Sequence, residues 1–436
     1  MAGTLTVGQL VPDVGTNLYI NAQQYGGNVI VGNTTTTLVN IGTSGNVTFN
    51  GVITGNTITS NGASLVLQSN NTTAITVDTS QNVTFNGYVN APNSFGFKNR
   101  IINGGMVIDQ RNAGAATANT INSYTLDRWL VNQSTTGKII VQQNAGSVTP
   151  PVGFTYYLGV TSQSAYSVAA GDYYIVYQRI EGYNIADLAW GTASAKTITL
   201  SFQVYSSLTG TFGGALTNSG QSRSYPFTYT ISSANTWTTI SVTIAGDTSG
   251  TWLTTNGIGI GVYFGLGVGS TYSGTAGSWS GSTYVSATGA TSVVGTSGAT
   301  FYITGVQLEK GSAATSFDWR PYGTELQLCQ RYYETSMSVA PADNMSVAST
   351  GVYAIASSAA TPLLTVQFKV TKRTDPTVTY YAPLTTSPSG KFREDATGTI
   401  RTATGGGATN WGAIIGVSSG TSSVAYQFGY QASAEL

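Results

Sequence analysis

Apolar and polar positions alternate with a period of two through most of this chain. Ile198, Leu200, Phe202 and Val204 alternate with Thr197, Thr199, Ser201 and Gln203, so one pleated face is apolar and the other is rich in hydroxyls. Ile240, Val242 and Ile244 repeat the pattern, as do Phe301 and Ile303 ahead of Val306 and Leu308. Further on, Leu364, Val366, Phe368 and Val370 oppose Thr365, Gln367 and Lys369, and a turn at Asp375–Pro376 leads into another alternating run over 377–381. Short strands at regular spacing, punctuated by Gly, Asn and Ser turns, predict an all-β fold whose middle part is a sandwich or jelly roll. A helical period shows once, over 320–334. There Leu326, Cys329 and Tyr333 share a face, Thr324 is placed to cap, and Glu325 sits near the positive end of the helix dipole.

One predicted strand is unusual. From Gly257 to Gly269, Ile258, Ile260, Val262, Phe264, Leu266 and Val268 fill one face, while the other is glycine apart from Tyr263. Glycine weakens a strand unless something must approach its backbone closely. A sugar, a neighbouring subunit and an overlying loop all fit that requirement. The Gly/Ser/Thr-rich stretch that follows, 270–300, carries Tyr272, Trp279 and Tyr284. Such aromatics suit stacking on a pyranose ring, or else they pin the loop to the sandwich. Together with Trp252 they form the candidate carbohydrate-contact set.

The first 97 residues read differently. Their only charged side chains are Asp13 and Asp78, and the hexapeptide Asn-Val-Thr-Phe-Asn-Gly at 46–51 recurs unchanged at 82–87, a spacing of 36 residues. Each short alternating piece, such as 64–68 or 74–78, offers two or three apolar side chains on one face. That is too little burial to offset an ordering cost of roughly 1–2 kcal/mol per residue. Intertwining with identical chains covers the apolar faces and pairs the exposed edges, which predicts an oligomeric, three-fold β-stalk. A monomeric β-solenoid on the same repeat is the alternative. The expected organisation is therefore a stalk over 1–97, a sandwich over 98–320, and a short helical connector with a smaller β-domain over 321–436.

Composition narrows the chemistry. Charged residues make up 8% of the chain, 17 basic against 17 acidic, so no basic face exists to displace counterions from nucleic acid. Histidine is absent and Cys329 is the one cysteine, which removes His-dependent triads, His-ligated metals and intrachain disulfides. Beside Leu326 and Leu328, Cys329 reads as a small buried hydrophobe. No apolar run approaches the about 18 residues a membrane span needs, and the first ten residues lack the basic and apolar regions of an export signal. Neither a cofactor nor a metal site is expected, since a calcium site would need an Asp-rich loop.

Several segments resemble the tail-fibre proteins of tailed bacteriophages that carry a carbohydrate-binding-module-like jelly roll. The opening of that domain is matched by 99–111, with Asn103, Gln110 and Arg111, and by Asp127-Arg128-Trp129. Its close is matched by 304–311, with Gln307 and Glu309, by Phe317 and Arg320–Gly323, and by 328–333. The segments 368–378 and 428–436 look like the small β-domain that often follows. The resemblance implies a homotrimeric fibre of the virion tail. Its N-terminal region would join other tail or baseplate proteins, and its distal domains would adhere to a bacterial surface glycan. Assembly would take place in the host cytoplasm.

The polar motif residues have a structural reading first: Arg111 or Arg128, paired with Asp127 or Glu309, would lock the two ends of the sandwich together. Glycoside hydrolysis would need two carboxylates about 5–10 Å apart across a cleft. The middle region offers Asp109, Asp127, Asp172, Glu181, Asp187, Asp247, Glu309 and Asp318. The long coil repeats of a β-helical tailspike are missing, so a non-enzymatic adhesin is the expectation. A purely structural head or collar fibre, a polysaccharide-degrading tailspike and, against the missing export signal, a bacterial surface adhesin are its rivals.

Overall fold

A computed structural model describes residues 29–32, 37–41, 47–49, 65–69, 72–79, 83–85, 97–118, 121–337, 353–357, 363–385, 389–404, 406–417 and 424–436. The protein is nearly all β and divides into two compact units, Met1–Asn90 and Ala91–Leu436.

In the first unit the described strands form two three-stranded antiparallel meanders, Val29–Gly32 with Thr37–Ile41 and Val47–Phe49, and Leu65–Ser69 with Thr72–Val77 and Val83–Phe85. The second meander repeats the first. Val39 pairs with Phe49 and Ile41 with Val47; 36 residues later Ile75 pairs with Phe85 and Val77 with Val83. The recurring hexapeptide thus supplies the third strand of each meander. Val66, Leu67 and Val83 are about half exposed within this unit.

The second unit begins with twelve strands in two sheets. They are β1 (Thr117–Ala118), β2 (Ser123–Leu126), β3 (Trp129–Gln133), β4 (Ile139–Gln143), β5 (Leu158–Ser162), β6 (Tyr173–Glu181), β7 (Ile198–Ser206), β8 (Gly210–Thr217), β9 (Ser224–Ile231), β10 (Thr238–Ile244), β11 (Ile258–Val268) and β12 (Thr300–Lys310). One sheet runs β10-β7-β12-β5-β4-β1 and the other β9-β8-β11-β6-β3-β2, with every pairing antiparallel. The expected alternation decides which faces meet. Leu200, Phe202, Val204, Phe301 and Ile303 from the first sheet pack against Val176, Ile180, Val262, Phe264 and Leu266 from the second. Phe202 meets Phe264 edge-on at 5.1 Å, a geometry that aromatic quadrupoles favour.

The glycine face of β11 is covered by the following loop. A Cβ on Gly265 would lie 2.5 Å from Ser286 Oγ, and one on Gly213 of the neighbouring β8 would lie 2.6 Å from the same atom. The bare backbones make a trough in which the short strand Ser286–Ala287 lies, paired in parallel with Ser273–Gly274.

Helix α1 spans Tyr322–Gln330, shorter than expected. Pro321 occupies the cap position and no side chain caps the helix; Thr324 lies inside the first turn, because Pro321 already sets the entry into the helix. Leu326 and Cys329 do face the sandwich, together with Tyr332, against Ile102 and Ile108. Tyr333 instead opens β13 (Tyr333–Thr335).

The remaining described strands are β14 (Tyr353–Ser357), β15 (Leu363–Gln367), β16 (Thr377–Tyr381), β17 (Lys391–Glu394), β18 (Ile400–Thr404), β19 (Ala408–Thr409), β20 (Gly412–Val417) and β21 (Val424–Ser433). They build one antiparallel sheet with β13. The long β21 is its spine, pairing with β13, β14, β16 and β17. Leu364, Val366, Phe392, Ile415, Tyr426 and Phe428 form its core.

Candidate functional site

Alternation along β6 sends Tyr174, Val176 and Ile180 into the core and leaves Tyr173, Ile175, Tyr177 and Arg179 on the outer face. These outward residues form the floor of a groove of about 340 Å³, toward the small end of the roughly 300–1,000 Å³ common for small-ligand sites. Tyr263 of β11, directly opposite Tyr177 in the register, stacks on it at 4.9 Å with the rings 10° from parallel. Tyr272, from the loop after β11, meets Tyr173 edge-on at 5.5 Å. Ile121, Asn122, Asn132, Gln221, Thr283 and Val285 complete the lining.

The polar groups of the groove are held in place. Tyr177 Oη donates to Asn122 Oδ1 at 2.7 Å, and burial pushes its pKa up to about 12, so the phenol stays protonated. Gln221 Nε2 donates to Tyr263 Oη at 3.2 Å, and Thr283 Oγ1 to the Gln221 carbonyl at 3.0 Å. Arg179 is half-buried at one end, its Nη1 donating to the Leu436 carbonyl oxygen at 2.6 Å. The result is an aromatic trough edged by fixed amides, hydroxyls and one guanidinium. Such a lining can stack on an apolar ring face and bond to the hydroxyls around it.

The structure separates the sequence-derived contact residues. Tyr272 lines the groove. Trp252 does not: it is 7% exposed, and its Nε1 donates to the Ser249 carbonyl. It packs edge-on against Trp190 at 4.7 Å and Trp279 at 5.4 Å. Trp279 closes that triad, stacks edge-on with Tyr225 and donates to the Ala245 carbonyl. Trp279 therefore anchors the loop, and Trp252, in the segment before β11, is corrected from a contact residue to a core residue. Tyr284 lies over Gly274, where a Cβ would collide with its ring. Tyr173, Tyr177 and Tyr263 were missed as a set. Tyr263 was visible as the lone side chain on a glycine face, and the i, i+4 spacing of Tyr173 and Tyr177, which puts both on one face of a strand, is the signal that would have joined them to it.

The motif residues knit the two ends of the sandwich. Asn103 bonds the Ile108 and Asp127 carbonyls through Nδ2 and accepts Ile108 N–H, while Trp129 Nε1 donates to the Asn103 carbonyl. Gln307 donates to Glu309 and accepts Asp318 N–H, and Thr315 N–H donates to Glu309. Arg320 bridges to Glu325 at 3.1 Å and to the Asn99 carbonyl. The expected partners of Arg111 and Arg128 need correcting. Both pair with Glu435, at 2.6 Å for Arg111, and they stack over Tyr333 and Tyr332. Asp127 instead accepts Gln110 N–H at 2.7 Å and Gln110 Nε2 at 2.6 Å, and burial raises its pKa to about 6. Because Asp127 is already taken up by Gln110, the guanidiniums turn to the 434–436 segment.

The eight carboxylates considered for hydrolysis are likewise committed. Asp109 receives Asn112 and Gly114 N–H, and Asp172 receives Ala169 N–H and the Ser134 hydroxyl. Glu181 holds Arg331 and Tyr332, Asp187 holds Arg100, and Asp247 holds Arg223 with both oxygens. Asp318 receives Asn99 N–H. Among the described residues, no carboxylate lines the groove.

No protein-family model matches the sequence, and no curated protein does. Among solved structures, the chain is similar to the enzymatically active domain of tailspike protein 4 of bacteriophage CBA120, at 13% identity and TM-score 0.28. That match covers 49% of this chain and 22% of the tailspike chain, about a fifth of its length. It is also similar to a family 11 carbohydrate-binding module from Clostridium thermocellum bound to a mixed-linked tetrasaccharide. There the identity is 12%, the TM-score 0.23, and the coverage 44% of this chain and 93% of the module. Likenesses this weak carry no argument about the chain; its fold stands on the sheet topology above.

Proposed function

We propose that this protein is a non-catalytic adhesin of a bacteriophage virion, a trimeric tail fibre that holds the particle to a glycan on the bacterial surface. The observation that carries the reading is the groove on the outer face of β6 and β11. Its half-buried Tyr173 and Tyr272 offer ring faces and edges above the buried Tyr177–Tyr263 stack, and Asn122, Asn132, Gln221 and Thr283 offer amides and a hydroxyl at its rim. A lining without a carboxylate suits binding rather than the two-carboxylate chemistry of glycoside hydrolysis. The half-exposed Val66, Leu67 and Val83 of the first unit support the oligomeric stalk, since partner chains would cover them. Three shallow sites on one fibre, and several fibres on one particle, would turn weak single-site affinity into firm attachment.

The experiment is competition for host cells. Purified full-length protein should label host bacteria and block adsorption of the phage, and Tyr272→Ala should lose most of that labelling while keeping the wild-type melting temperature within a few degrees. Labelling that survives both Tyr272→Ala and Tyr173→Ala would move the binding surface away from the groove. No labelling by the wild-type protein would favour a purely structural fibre.

A further inference from the structure

We infer that the groove takes an anionic glycan, with the Arg179 end receiving the negative group of a charged sugar. The inference rests on the glycan reading and adds a substrate class to it. Its first ground is the lining itself, in which Arg179 is the one charged residue. Asp172, next in sequence to the lining residue Tyr173, turns instead onto Ser134, Tyr166 and Ala169.

The second ground is the state of the guanidinium. Among the described residues no Asp or Glu side chain pairs with Arg179, and one of its N–H groups is engaged, by the main-chain oxygen of Leu436. Its remaining donors form the planar fork that suits carboxylate and phosphate oxygens. The side chain also lies along the ring of Tyr177, 5.3 Å from its centroid, which fixes its direction on the groove floor.

The third ground is the surrounding charge. The chain as a whole is balanced, with 17 basic and 17 acidic side chains. The corner behind the groove is not. Arg111, Arg128, Arg179, Arg331 and Arg373 gather there with Asp127, Glu181 and Glu435 as the carboxylates, five cations against three anions. A negative charge at Leu436 itself would still leave an excess of one. Asp127 is raised to about 6 by burial, so it offsets the cations less as pH falls. An anionic sugar at the half-buried Arg179 would neutralise this excess, the kind of charge complementarity that sets specificity.

The test uses an array of bacterial surface polysaccharides probed with the full-length protein. Each polysaccharide is printed in three forms: native, carboxyl-reduced to the neutral sugar, and dephosphorylated. The expected result is binding to native anionic polysaccharides that weakens with added salt. Removal of the carboxylate or of the phosphate, whichever that polysaccharide carries, should cut it about ten- to a hundredfold, the range for a lost charge-assisted hydrogen bond. Arg179→Gln should reproduce the loss on native spots and weaken binding to neutral spots far less, while Arg179→Lys should restore part of the loss on native spots. Equal binding to native and neutralised forms by the wild-type protein would overturn the anionic assignment and leave glycan binding standing. No binding to any spot would overturn glycan binding itself, and this inference with it.

Discussion

At the scale of single residues, buried charge is the main source of sensitivity. Lys372 and Glu334 are both fully buried, 2.6 Å apart. Lys372 also donates to the Gln330 carbonyl, and Tyr430 Oη donates to Glu334. Removing one partner leaves the other charge unpaired in the interior, so Lys372→Met should lower stability by about 3–5 kcal/mol, whereas replacing both with apolar residues should recover much of it. Chemical denaturation of the two variants measures the difference. Asp127 predicts a pH effect of definite sign. Its folded pKa of about 6 lies above the ordinary carboxylate value, so between roughly pH 4 and 6 the folded chain holds a proton that the unfolded chain has released. Stability at this residue therefore rises as pH falls through 6 and levels off near 4. Asp172, held low chiefly by the Ala169 N–H, acts with the opposite sign below that window. The melting temperature of wild type should climb from pH 7 to pH 5, and Asp127→Asn should flatten the climb whatever its own stability. Such effects were out of reach of the sequence: the Asp127-Arg128-Trp129 run was plain, but Arg128 pairs with Glu435, 307 residues away, and no local pattern marks that partner.

At the scale of elements, the strands were legible because alternation is a local property of a half-buried sheet. Ile198–Ser206 lies where its pattern put it, with the apolar face inward, and so do Ile260, Val262, Phe264 and Leu266 of Ile258–Val268; past a bulge in that strand, Val268 turns to the outer face and packs beside Tyr173 and Tyr177. Strand β6 was harder, because Tyr173, Ile175 and Tyr177 on its outer face are as apolar as Tyr174 and Val176 on its inner one, and the contrast that marks a surface is lost. That is why the groove floor escaped notice while the loop aromatics drew it. Trp252 and Trp279 look like ligand platforms in sequence because they sit among Gly, Ser and Thr. In three dimensions that polar stretch has no core of its own, and the tryptophans supply one by packing on Trp190. The glycine face of β11 makes its own prediction. Gly265→Val would push Ser286 away and lift the loop that carries Tyr272 and Val285. Overpacking of this kind costs about 1–3 kcal/mol, and glycan binding should fall along with the melting temperature. An adjacent Ala substitution at Thr283 should spare the melting temperature.

At the scale of the whole molecule, the second unit is held as one by the 434–436 segment. Glu435 ties Arg111 and Arg128 of the sandwich, Arg373 holds the Ala434 and Glu435 carbonyls, and Tyr124 Oη donates to the Leu436 carbonyl. Calorimetry should show a single transition for this unit, and Glu435→Ala should split it into two as the sandwich and the C-terminal sheet melt separately. The three-fold stalk was inferred from poverty of apolar surface in a 36-residue repeat, and the matching meanders give that repeat a structural form. Light scattering on the full-length protein should return three times the chain mass. The claim that joins these scales is that the tyrosine groove of β6 and β11 holds a sugar. Crystals of the protein soaked with an oligosaccharide from a bound polysaccharide test it most directly. The expected result is density for a ring lying in the groove against Tyr173 and Tyr272, with its charged group at Arg179; density seated elsewhere, with the groove empty, would contradict the glycan reading.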